Sequence, residues 1–132
     1  MSAKKILVVD DSPVVTKTTE MLLVKAGYTV FTATDGSTAI GIVRREKPDL
    51  ILLDIGFPPE MGVPWDGILI MQWLKRMDES RNTAVIIITG QDPAKYRDQV
   101  MGLGAVALLT KPVNNDELLK LIGDTLTNKA VA

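Results

Sequence analysis

Five polar side chains stand where apolar runs end. Asp10 and Asp11 follow "KILVV", Asp54 closes "LILL", Thr89 follows "AVIII", and Lys111 comes just after "AVALL". Taken singly, each has an ordinary explanation. An Asp pair after a strand can cap a helix, threonine suits strands, and a lysine before a proline can sit in a solvated loop. Asp54 is harder to set aside, because aspartate is a poor strand residue. Together they suggest chemistry. If the first and third runs are adjacent strands about 4.8 Å apart, the three carboxylates converge. At roughly 5 Å and an effective dielectric of about 20, each pair repels by about 3 kcal/mol, which calls for a cation. All-oxygen ligation with few protein donors selects a hard metal and favours Mg²⁺ over Ca²⁺. A carboxylate beside Mg²⁺ can attack a phosphorus centre and become an acyl phosphate. Lys111 and the Thr89 hydroxyl would each hold a phosphoryl oxygen.

Elements must position these groups. The runs at 5–9, 29–33, 50–53, 84–88 and 105–109 are short and aliphatic or β-branched, as expected of strands buried on both faces. Helix signals lie between them. Ser12-Pro13 is an N-cap with proline at the first helical position; Val15, Thr19, Leu22, Leu23 and Ala26 then recur on one face until Gly27. Thr34-Asp35-Gly36 reads as a helix cap, and Asp92-Pro93 repeats the first opening. Ile70, Trp73, Leu74 and Met77 give the third helix its apolar face, and Asn114 with Glu117 caps the last. Five strands alternating with helices predict an α/β, doubly wound parallel sheet. Its ligand site would lie beyond the carboxyl ends of the strands, where the five polar residues fall.

Composition narrows the function. The 132 residues suit a single domain spanning 1–132, and 46% hydrophobic with 23% charged residues is a globular balance. A net charge of −1 argues against direct nucleic-acid binding. With no histidine and no cysteine, imidazole catalysis, histidine metal ligation, a phosphohistidine, disulfides and thiol chemistry are all excluded. No run has the length of a signal peptide's apolar core or of a membrane span, so the expected location is the cytoplasm.

The blocks "ILVVDDSP", "DLILLDIGFP", "IIITG" and "LLTKPV" resemble those of response-regulator receiver domains across nearly the whole chain. The resemblance implies a flavodoxin-like five-stranded sheet, order 2-1-3-4-5, with five helices. It implies that Asp54 accepts phosphate from the phosphohistidine of a sensor histidine kinase or phosphotransfer protein. Asp11, Asp54 and the Gly56 backbone carbonyl would ligate Mg²⁺, with Asp10 helping through water. Thr89 and Lys111 would sense the phosphoryl group, and the helix 4–strand 5–helix 5 face would carry the signal to a downstream protein. Such a domain is a regulatory phosphoacceptor that assists its own phosphorylation and dephosphorylation, not an enzyme.

Two features depart from the pattern. Where many relatives have an aromatic switch residue, three positions before the strand-5 lysine, this chain has Leu108, which would shift the coupling onto the backbone of residues 90–96. The segment from Asp54 to the Asp66-Gly67 that opens helix 3 is also longer than usual and holds three prolines. Phe57, Met61 and Trp65 in the loop 56–66 would either pack back on helix 3 or form a rim over the phosphoryl site. Competing readings remain. A receiver-like module acting without phosphorylation would differ by lacking Mg²⁺-dependent labelling. An aspartyl-nucleophile phosphohydrolase would resemble D-x-D after strand 1, whereas this chain has Asp-Asp-Ser. A flavin carrier would need a phosphate-binding loop where acidic residues stand.

Overall fold

The computed structural model describes the backbone of residues 3–54, 67–90 and 93–131, and the side chains of residues 3–54, 68–90 and 97–127. Strands and helices alternate: β1 Lys5–Val9, α1 Pro13–Lys25, β2 Thr29–Ala33, α2 Gly36–Glu46, β3 Leu50–Asp54, α3 Gly67–Arg76, β4 Ala84–Thr89, α4 Pro93–Gly102, β5 Ala107–Thr110 and α5 Asn115–Val131. The strands form one parallel sheet in the order β2-β1-β3-β4-β5. This is the flavodoxin-like α/β arrangement, with helices on both faces because every inner strand is apolar on both sides.

Alternate residues of the strands feed two cores. Leu7, Val9, Ile51, Leu53, Val85 and Ile87 pack with residues of α2, α3 and α4. Ile6, Val8, Leu50, Leu52 and Ile86 face the other way, against Leu23 of α1 and Leu118, Ile122 and Leu126 of α5. Burying one such aliphatic side chain is worth about 1.5–3 kcal/mol, so the sheet is the most strongly determined part of the chain.

Local signals place the helices. The Ser12 hydroxyl accepts from the Val15 amide at 3.4 Å with Pro13 at the first helical position, and α1 ends before Gly27 at φ +102°. Asp35 caps α2 by accepting from the Thr38 amide at 2.7 Å and the Thr38 hydroxyl at 2.9 Å. Asn114 accepts from the Glu117 amide at 3.0 Å to open α5.

Several expectations need correction. β3 and β4 each run one residue further, so Asp54 and Thr89 belong to the strands themselves. β5 starts at Ala107, not 105, because the Ala105 amide donates to the Val100 carbonyl and closes the end of α4. In α1 the buried residues are Thr16 and Leu23, while Ala26 is an exposed C-cap. In α3, Met71 takes the core position expected of Trp73, which is 43% exposed. Asp92 and the loop 56–66 lie outside the described residues. Among the described residues no helix is long and apolar enough to cross a membrane.

Candidate functional site

The parallel register carries the polar residues to one edge. Val9 pairs with Leu53, which sets the next residues, Asp10 and Asp54, side by side. Thr89 pairs with Thr110, and the Lys111 amide donates to the Thr89 carbonyl at 2.8 Å, bringing the lysine to the same end. Asp10, Asp54 and Thr89 are buried, whereas Asp11 is exposed.

Lys111 ties the site together. Its Nζ donates to Asp10 Oδ2 at 2.8 Å and to Asp54 Oδ2 at 3.1 Å. Asp10 is oriented a second time, because its Oδ1 accepts from the Ser12 amide at 2.9 Å. The sequence reading missed that contact. Its signal was present in Asp10-x-Ser12, the spacing at which an aspartate closes a turn on the amide two residues on.

One carboxylate oxygen from each of Asp10, Asp11 and Asp54 lies within 4.8 Å of the others. Among the described residues Lys111 offsets one of the three charges. The Asp11 carboxyl pKa is raised above its ordinary value. Partial burial is the main cause, followed by the hydrogen bond and charge of Asp10 and the charge of Asp54, with Lys111 pulling the other way. At Lys111, burial would lower the ammonium's pKa, but its bonds to Asp10 and Asp54 and their charges outweigh that and raise it. Three oxygen donors, two of them buried, fit a divalent cation. A hard metal suits them better than a second lysine because it concentrates charge and leaves coordination positions for other oxygens.

The structure therefore brings together Asp10, Asp11, Asp54 and Lys111, with Thr89 at the end of the neighbouring strand. Leu108 is buried in the α2/α3/α4-side core. Gly56, Phe57, Met61 and Trp65 lie outside the described residues, as do residues 91 and 92 of the 90–96 segment.

A sheet of this order with an acidic triad and a lysine at its carboxyl edge defines a class of signalling modules, and the comparisons agree. Residues 6–123 match the response regulator receiver domain family. The chain is 37% identical to protein PilH of Pseudomonas aeruginosa over 124 residues, covering 92% of this chain and 97% of PilH. It is also 37% identical over 118 residues to sporulation initiation phosphotransferase F of Bacillus subtilis, covering 89% and 90%. A CheY-like receiver domain from Methanospirillum hungatei superposes with a TM-score of 0.88 over 98% of each chain, at 26% identity. Other relatives are longer: the chain spans 53% of one Pseudomonas aeruginosa regulator and 24% of PleD of Caulobacter vibrioides. The chain belongs to the response-regulator receiver family of two-component signalling, a regulatory module and not a stand-alone enzyme.

Proposed function

We propose that Asp54 is the phosphoacceptor of a phosphorelay, working with Mg²⁺, and that the whole chain 1–132 acts as one receiver domain. The observation that carries this reading is the Asp10–Asp11–Asp54 triad with Lys111 bridging two of its members. Asp54 Oδ attacks the phosphorus of a donor phosphohistidine. An O–P bond forms as the donor's P–N bond breaks, and the imidazole leaves. Asp11, Asp54 and the Gly56 carbonyl would hold Mg²⁺, with Asp10 acting through water. Bound there, the metal would supply charge neutralisation for the transferring group. Lys111 releases Asp54 Oδ2 to the incoming group and follows it as the counter-charge on a phosphoryl oxygen. Thr89 offers its hydroxyl to another oxygen, and that pull draws on the β4–α4 connection.

The donor is a sensor histidine kinase or phosphotransfer protein, in keeping with the relatives named above, and the site of action is the cytoplasm. The α4–β5–α5 face meets the downstream protein. Residues 56–66, including Phe57, Met61 and Trp65, tune phosphate lifetime or donor choice, and shortening 58–62 should change one of them. The decisive experiment is labelling by acetyl phosphate. One acid-stable, base-labile phosphate should appear only with Mg²⁺, and none in Asp54→Asn. Stoichiometric labelling of Asp54→Asn would overturn the assignment.

A further inference from the structure

Between the N-terminal half of α1 and the β5–α5 connection lies a cleft of about 560 Å³, inside the roughly 300–1,000 Å³ range of small-molecule sites. Its floor is the sheet face carrying Val8, Leu52 and Ile88, with Leu118 of α5 beside them. Its sides are Val14, Val15, Thr18, Thr19 and Val113. These β-branched side chains are short and stiff at χ1, so they stop short of filling the space between the helices. Val14, on α1 beside the cleft, is 74% exposed.

The cleft's polar end determines what fits it. Asp10, Asp54 and Lys111 all border it, Asp11 lies within 4.8 Å of the other two carboxylates, and among the described residues one ammonium against three carboxylates leaves that end net acidic. We propose that the cleft binds a small amphipathic cation, with an apolar body between α1 and α5 and an ammonium head at the Asp10/Asp54 end. Charge complementarity selects this occupant. An anionic head would meet the acidic triad, and a neutral one would gain apolar burial alone. The head and a divalent cation would draw on the same carboxylates, so their binding should be mutually exclusive. The proposal does not depend on Asp54 accepting phosphate.

The test uses decylammonium, decanoate and decanol as probes with the intact protein at neutral pH, below their aggregation limits, followed by amide NMR. Decylammonium should saturate shifts at Val8, Val14, Val113 and Leu118 and bind roughly tenfold more tightly than decanoate or decanol. Millimolar Mg²⁺ should weaken decylammonium binding and leave decanol unaffected. Val15→Phe and, on the exposed side, Thr18→Leu should each fill the cleft and weaken decylammonium at least several-fold, with folding verified by circular dichroism. The proposal is overturned if no saturable shift appears at these amides, if the three probes bind alike, or if both folded variants bind as the parent does. It is equally overturned if these amides respond only to a phosphohistidine-bearing protein, since the cleft would then be a seat for a partner's side chain.

Discussion

At the level of single residues, the site is a balance of charges in which Lys111 is the central member. Asp10 and Asp54 are both buried and both bonded to its ammonium. Removing the lysine takes an ammonium partner from two buried carboxylates. Lys111→Met should therefore cost about 1–3 kcal/mol in urea unfolding without metal, and Mg²⁺ should restore part of the loss. Asp11 behaves oppositely. Folding raises its carboxyl pKa, so the folded state holds that proton more tightly than the unfolded chain. Stability from this group is highest in acid and declines as pH rises from its unfolded value through its raised folded value. Asp11→Asn should accordingly raise the metal-free urea midpoint at neutral pH while weakening Mg²⁺ binding. For Lys111 the raised pKa means its contribution is complete below its unfolded value and is lost as pH climbs through the higher folded one. A pH series of urea melts should thus reveal an alkaline decline above about pH 10.4 in the parent and none from this source in Lys111→Met.

The elements owe their positions to short-range caps and to which faces they bury. Asp35 makes two bonds to Thr38, at 2.7 and 2.9 Å, whereas Ser12 holds the Val15 amide at only 3.4 Å. Asp35→Ala should cost about 1 kcal/mol and Ser12→Ala less, as read from chemical unfolding. In α3 the contrast lies between neighbours on the helix. Met71 is wholly buried and Trp73 is 43% exposed, so Met71→Ala should cost about 2–5 kcal/mol and Trp73→Ala distinctly less, although tryptophan is the larger side chain. Helical spacing alone put Trp73 on the core face because residues 70, 73, 74 and 77 share one side of an ideal helix. The sheet and α2 claim a slightly rotated arc that takes in residue 71 instead.

For the molecule as a whole, the question is how an event at the strand ends reaches the opposite face. Leu108 sits in the core among Val85, Ile87, Val100 and Ala105 and is buried, with no ring to swing between inside and outside. Transmission should then run through Thr89 and the backbone of β4–α4. On Mg²⁺-dependent phosphorylation, amide shifts should extend across α4, β5 and α5, and Leu108→Ala should destabilise the fold by about 2–5 kcal/mol without abolishing their spread. Shifts confined to the surroundings of Asp54 would rule this route out.

The sequence alone determined the alternation of elements, the caps at Ser12, Asp35 and Asn114, and which five polar residues end the apolar runs. All of these depend on contacts within a few residues or on a period of two or 3.6, and such signals are written locally. The strand order came from resemblance to a family, since apolar runs reveal burial on both faces and not which neighbour provides it. Tertiary structure decided the rest. Lys111 reaches carboxylates 101 and 57 residues away because β1 and β3 are adjacent, β5 closes the far edge, and the parallel register brings their ends level. The exposure of Trp73, the burial of Leu108 and the cleft beside α1 follow from how helices of given side-chain volume settle on a twisted sheet. That is a property of pairs of elements, and no single segment encodes it.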